Sequence, residues 1–272
     1  MERPAWAPQG IDISVPSVSR MYDFYLGGSH NFEVDREAAR KAMEFMPGLP
    51  KAMQANRAFM RRAVRYALSE GVTQFLDIGS GIPTFGNVHE VAQAIDPAAR
   101  VAYVDHDPVA VAHSQAVLEG NEGATISAAD LRRPQEIRDS PEVAKLLDFD
   151  RPVALLLVAV LHFIEDSDDP RAAVAALRDM LSPGSFLVVT HAAYEGIPLS
   201  REEAGGTVGV YQNIRNPLVM RTREEIAGFF DGFELVEPGL VPMPEWRPES
   251  TAAPENEDPY AFSGIAGVGR KA

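Results

Sequence analysis

The sequence has no cysteine, which excludes disulfides, thiolate metal sites and a catalytic thiol. It also has no long apolar run. The longest, Val153 to Leu161, is less than half of the roughly 20 residues a membrane-spanning helix needs. The stretch from Met1 to Ser14 lacks a basic segment leading into an apolar one, so it does not read as a secretory signal. Positive charge is scarce: 25 lysines and arginines stand against 39 acids, a formal net charge of −14. That balance works against nonspecific nucleic-acid binding, which depends on neutralising phosphates. Nor do His30, His89, His113 and His191 have metal-ligand spacing, so no metal is expected. These absences point to a soluble, cytoplasmic protein whose partner is neither a membrane nor a nucleic acid.

What remains is ample for a core. The 272 residues are 46% apolar, enough for one large domain or a domain with an added subdomain. Residues 1–18, rich in proline and serine, form an irregular arm. Residues 19–70 read as helical, with a break at Pro47-Gly48-Leu49-Pro50. Met60, Ala63, Val64, Ala67 and Leu68 recur at helical spacing, and Gly71 suits a C-cap. Arg57, Arg61 and Arg65 fall at i, i+4 and i+8, a solvated face or a local basic patch.

From residue 74 the pattern alternates. Short apolar strands at 74–78, 100–104, 124–128, 153–161 and 185–190 are separated by helical stretches at 87–95, 108–121, 134–147 and 170–181. Such alternation implies right-handed crossovers and a doubly wound, mostly parallel α/β sheet. Residues 192–220 read as irregular. Thr222 and Glu225 form a capping-box pattern for a helix ending near Phe230. Phe233 to Val241 and Phe262 to Arg270 read as a terminal antiparallel pair. Pro242 to Pro259 between them reads as a long loop, with Trp246 as a candidate flap.

The chemistry concentrates at three consecutive strand ends. Asp77-Ile78-Gly79-Ser80-Gly81-Ile82-Pro83-Thr84 carries an acid into Gly-x-Gly, a tight turn that lets a ligand approach the backbone. A dinucleotide fingerprint would want glycine where Thr84 stands. The second strand ends in Asp105, followed by His106, and a carboxylate there can accept both hydroxyl protons of a ribose. After the third strand comes Asp130-Leu131, where Asp130 either meets an adenine amino group or caps the next helix.

Together these elements resemble the class I S-adenosylmethionine-dependent methyltransferases. More narrowly, Tyr22-Asp23-Phe24-Tyr25-Leu26-Gly27-Gly28 with Asn31-Phe32, Ala55-Asn56-Arg57-Ala58-Phe59 and the glycine loop resemble an actinobacterial methyltransferase family, formerly a domain of unknown function. The resemblance runs nearly full length. It implies a seven-stranded Rossmann-like sheet, with residues 1–70 as an arm and helical lid and 71–272 as the methyltransferase domain, in one continuous unit. It implies S-adenosylmethionine as cofactor, with S-adenosylhomocysteine as product. Gly79, Ser80 and Gly81 would hold its methionine part, Asp77 its amino group, Asp105 its ribose, and Asp130 with Leu131 its adenine. His106 would line the edge of the adenosine pocket, and Arg57 with Asn56 would reach the cofactor carboxylate. Tyr22, Gly27, Gly28, His30 and Asn31 would close over the methyl donor, unless the aromatics there are merely core.

The acceptor is not identified by the resemblance, although a small molecule is expected. His162, in Leu161-His162-Phe163 after the fourth strand, is a candidate general base or a packing histidine. Tyr22, Tyr194 and Tyr211 are further base candidates, and Gln212 and Asn213 are candidate pocket residues. No Asn-Pro-Pro-Tyr signature follows the fourth strand, which speaks against nucleobase or glutamine amino groups. A non-catalytic S-adenosylmethionine sensor or inactive homologue is the alternative, and it would lack an acceptor cavity.

Overall fold

The computed structural model describes residues 7, 11–193, 195, 201–212, 214, 217–249 and 259–272. Five parallel strands form the body of one sheet: β1 (Gln74–Ile78), β2 (Arg100–Asp105), β3 (Ala124–Ala128), β4 (Ala154–Val158) and β5 (Phe186–Ala192). β6 (Phe233–Leu235), β7 (Val241–Pro242) and β8 (Gly264–Lys271) complete it, with β8 antiparallel to β5 and to both of the others. The order is β3-β2-β1-β4-β5-β8-β6, with β7 attached to β8 off this path. The seven-stranded expectation therefore holds along the main path, and the two-residue β7 is extra. Strand order reverses at β1, between β2 and β4, and ligands settle at such a switch point beyond the C-terminal strand ends.

Alternate residues of the buried strands feed two cores. Phe75, Val101, Leu156 and Val188 point to the face covered by α3 (Leu49–Ser69) and α4 (Val88–Ile95). Leu76, Ala102, Leu155 and Leu187 point to the other, covered by α6 (Pro134–Arg138), α7 (Pro141–Leu146) and α8 (Pro170–Met180). This two-sided burial is why the strands read as continuous apolar runs. The stretch expected as one helix over 134–147 is two. Ser140 caps a fresh start by accepting from the Val143 N–H, and Pro141 cannot donate to a continuing first helix. α5 (Pro108–Val117) starts on Asp107, whose Oδ1 accepts the Val109 N–H at 2.8 Å.

The N-terminal helices α1 (Val18–Tyr25), α2 (Glu33–Phe45) and the start of α3 pack over the strand ends. The segment 192–220, expected to be irregular, contains helix α9 (Arg201–Tyr211), which packs on α2. Its Gly205, Gly206 and Gly209 hid it from propensity, and Phe45 fills the space beside Gly206. Thr222 caps α10 (Arg223–Ala227) in the expected capping box.

Trp246 is no flap. It is fully buried and meets Phe59 and Tyr66 edge-on, while Arg62 of α3 clamps its carbonyl at 2.9 Å and that of Met243 at 2.6 Å. Its bulk is worth more in the core than in water. Among the described residues no helix is long and apolar enough to cross a membrane.

Candidate active site

At the switch point the β1 loop opens a cleft of about 930 Å³, counting its mouth. Gly79 and Gly81 have φ of +74° and +69°, which only glycine adopts without strain. A Cβ on Gly79 would collide with Val160, so that glycine is required for packing as well. A Cβ on Gly81 would meet nothing within 4 Å, because this residue borders the open cleft. The Ser80 hydroxyl between them is buried without a hydrogen-bond partner.

Asp105, buried at the end of β2, holds the loop in place. Its Oδ2 accepts the Gly81 N–H at 2.7 Å and its Oδ1 the Asp107 N–H at 2.8 Å. Asp77 lies beside it in the same wall. Burial pushes the Asp77 carboxyl up to about 7; Arg57 opposes the rise and Asp105 adds to it. Burial likewise raises Asp105, against His106 and its two backbone donors. The cleft thus holds two acids that are costly to ionise, and a cationic ligand group would relieve both.

His106, Asp130 and Leu131 line the far end. The Asp130 carboxylate is forked by Arg132, with Nη2 to Oδ2 at 2.6 Å. Burial raises its pKa, and the Arg132 hydrogen bonds outweigh this and lower it. Arg57 also lines the cleft. Its Nη2 donates to Asn87 Oδ1 at 3.1 Å and to the Gly86 carbonyl at 3.2 Å, and its Nε is buried without a partner. The arginine row is therefore divided: Arg57 turns onto the loop, while Arg65 pairs with Glu249.

A second cavity, of about 880 Å³ with its mouth, adjoins the first. The two share Val18, Tyr22, Asn56, Ala159 and Phe163. Ala159, just past β4, sits at φ +58°, a strained backbone of the kind that clusters at functional sites. A hydrogen-bond chain holds this partition. The Ala159 N–H donates to Thr190 Oγ1 (2.8 Å), which donates to Asn56 Oδ1 (2.7 Å). Asn56 Nδ2 donates to the Tyr22 hydroxyl (2.9 Å), which donates to the Met53 carbonyl (3.3 Å). Burial raises the Tyr22 pKa, with Arg57 and Asn56 opposing.

His162 lines the second cavity only, and burial keeps it neutral, with His191 and Arg221 reinforcing that effect. Tyr211 lines it too, its hydroxyl 2.9 Å from that of Tyr25. Burial pushes Tyr211 up to about 12.

Asn31 is placed elsewhere than expected. Its amide donates to Asp23 (2.8 Å) and to the Gly28 carbonyl (3.1 Å), its oxygen accepts from Arg36 (3.0 Å), and it does not line the cleft. It braces the α1–α2 turn, in which a Cβ on Gly28 would strike Asp23. Gln212 is exposed, and Tyr194 and Asn213 lie outside the described residues. Thr190 and Ala159 were not anticipated. A threonine closing the apolar strand Ser185 to Thr190 was the available signal, whereas nothing in the sequence marks the Ala159 backbone.

The arm itself is pinned to the site. Ser17 Oγ donates to Asp107, next but one to Asp105, and the Ser17 N–H donates to Asp35 at 2.9 Å. Asp35 is fully buried against Arg20 at 3.2 Å and accepts the Phe32 N–H at 2.8 Å.

A provisionally named methyltransferase from Thermobifida fusca is 41% identical over 98% of this chain and 99% of its own, with a TM-score of 0.90. A DUF574 family protein from Streptomyces avermitilis is 37% identical over 96% and 100%, with a TM-score of 0.89. A Burkholderia thailandensis O-methyltransferase family protein, 10% identical with a TM-score of 0.54 over 92% of this chain and 64% of its own, shares the fold. No curated protein matches. The family model described as S-adenosyl methyltransferase matches residues 4–272. The chain, with its glycine loop and two strand-end acids around one cleft, therefore belongs to the S-adenosyl methyltransferase family, whose cofactor is S-adenosylmethionine.

Proposed function

We propose that this protein moves a methyl group from S-adenosylmethionine in the first cavity to a small molecule in the second. The observation that carries this reading is the shared wall: a methyl at the Tyr22–Ala159 partition would face both spaces. The sulfonium supplies an already activated methyl. What the chain adds is alignment and exclusion of water, and orientation alone is worth up to roughly 7–11 kcal/mol in favourable cases.

The residues fit the cofactor chemically. Ser80 Oγ and Arg57 Nε are buried donors in want of an acceptor, which suits the methionine carboxylate. Asp77 suits the ammonium, Asp105 the ribose hydroxyls with His106 at their edge, and Asp130 with Leu131 the adenine. α1 to α3 form the lid over this site, tied to the sheet side through Ser17 to Asp107 and through Thr190 to Asn56. The second cavity argues against a binding-only sensor, which has no use for an acceptor chamber.

The test is calorimetric titration with S-adenosylhomocysteine, followed by transfer of a tritiated methyl from S-adenosylmethionine to a panel of small aromatic acceptors. Saturable one-to-one binding and label in an acceptor are expected. A chain that does not bind S-adenosylhomocysteine would sink the reading.

A further inference from the structure

We propose that the second cavity takes an uncharged heteroaromatic acceptor through a lone pair the acceptor already carries, and that His162 recognises it as a hydrogen-bond donor and not as a base. This rests on the methyltransferase reading above.

Among the described residues lining the cavity there is no aspartate, glutamate, lysine or arginine. Each titratable side chain in its wall has a lone pair or a proton already engaged. The Tyr22 hydroxyl donates to Met53, and those of Tyr25 and Tyr211 bond each other. His191 donates from Nδ1 to the Ala192 carbonyl at 2.7 Å and accepts from Arg221 at Nε2 at 2.9 Å, so it has no lone pair to offer. His162 is the informative one. Its Nδ1 accepts the Ala192 backbone N–H at 3.2 Å. A neutral imidazole that accepts at Nδ1 carries its proton on Nε2. Nε2 has no partner among the described residues, and the ring belongs to the cavity wall. The groups facing that ring are His191 and Arg221, with no carboxylate among them to favour an imidazolium. Arg221 also fixes the turn bearing His162 by donating to the Leu161 and Ile164 carbonyls at 3.0 and 2.9 Å.

The chamber therefore offers donors and no base. Thr207 Oγ1 and Ser263 Oγ in the same wall are likewise buried without partners. A primary amine, cationic near neutral pH, finds no carboxylate here, and a phenol finds nothing to take its proton. A ring nitrogen needs neither. Its lone pair forms the N–CH3 bond as the S–CH3 bond breaks, and the positive charge passes from sulfur to the ring. A ring N–H proton, where present, leaves to water after release. The rings of Phe163 and Tyr211 and the thioethers of Met53, Met220 and Met243 suit a flat aromatic body.

Quinoxaline, 2-naphthol and 2-(aminomethyl)naphthalene share a shape and differ in their polar atoms. With protein loaded with S-adenosylhomocysteine, quinoxaline should bind and the naphthylmethylammonium should not. With S-adenosylmethionine, label should enter quinoxaline and not 2-naphthol. His162→Phe should weaken quinoxaline binding roughly tenfold, His162→Gln should retain most of it, and neither should change S-adenosylhomocysteine affinity. Nitrogen-15 histidine spectra of the wild-type complex should show the Nε2–H tautomer at neutral pH. An Nδ1–H tautomer or an imidazolium overturns the assignment, as does quinoxaline failing to bind the loaded protein. So does methylation of 2-naphthol at a rate that rises with pH and is lost equally in both variants. All of these readouts use protein that binds S-adenosylhomocysteine, so their failure is distinct from failure of the methyltransferase reading itself.

Discussion

The two cavities are built on opposite principles. The first is the more polar and the more local: three strand ends, within residues 77–81, 105–106 and 130–131, supply much of its wall. The second is apolar and assembled from afar, with α1, α3, β5, α9 and the turns at Met243 and Ser263 all contributing. A shared cofactor rewards a short, repeatable loop, whereas an acceptor chamber is shaped by whatever helices cover it. The largest expected effect breaks only the first cavity. Asp105→Ala removes the acceptor for the Gly81 and Asp107 N–H groups along with the proposed ribose partner. Affinity for S-adenosylhomocysteine should fall by roughly two to three orders of magnitude, read by calorimetry. Unchanged affinity would move the ribose elsewhere.

Two glycines sharpen the contrast within one loop. Gly79→Ala adds a collision with Val160 to the cost of a positive φ, together about 2–5 kcal/mol of stability. Gly81→Ala carries the backbone cost alone, about 1–2 kcal/mol, and places its methyl in the cleft. Denaturant melts should therefore rank Gly79→Ala as the less stable, while S-adenosylhomocysteine titration of folded protein should show weakened binding for Gly81→Ala. The reverse ranking in the melts would mean that the loop is not seated against Val160.

The same contrast explains what the sequence could reveal. The sheet and the first cavity were legible because their signals are local: apolar runs that end in an acid, then glycines at fixed spacing. Asp77, Gly79, Ser80, Gly81, Asp105, His106, Asp130, Leu131 and Arg57 do line one cleft. Asn31 was misplaced because Gly27-Gly28 looks equally like a flexible lid and like a turn braced by Asp23 and Arg36. Trp246 was misplaced because proline-rich surroundings conceal an anchor that α3 holds through Arg62. Thr190, Asn56 and Tyr22 meet across gaps of 134 and 34 residues, which no spacing rule encodes.

Protons separate the cavities next. Asp77, raised to about 7, binds a proton in the folded chain that the unfolded chain lacks between pH 3.8 and about 7, so its contribution to stability falls as pH rises. His191, lowered to about 4 mainly by burial, behaves oppositely. The unfolded chain holds the proton between about pH 4 and 6.5, so its contribution rises with pH. In the wild-type chain the two slopes oppose each other, each at most about 1.4 kcal/mol per pH unit. Relative to the wild-type chain, Asp77→Asn should make the slope of stability against pH more positive across that window, and His191→Gln should make it more negative. Urea melts of the cofactor-free chain at the two ends of the window read both. Parallel slopes in the two variants would mean that one of these groups is solvated.

The smallest effect belongs to the second cavity. Tyr211→Phe leaves the Tyr25 hydroxyl buried without its 2.9 Å partner, at a cost of about 1 kcal/mol. That loss should appear in denaturant melts and leave S-adenosylhomocysteine affinity untouched, because Tyr211 lines only the chamber beyond the partition. Acceptor affinity should move instead, since the freed phenol of Tyr25 becomes one more donor in a wall already short of acceptors. A change in S-adenosylhomocysteine affinity comparable to the change in stability would show that Tyr22, Asn56 and Ala159 transmit strain between the chambers, and that the partition does not separate two independent sites.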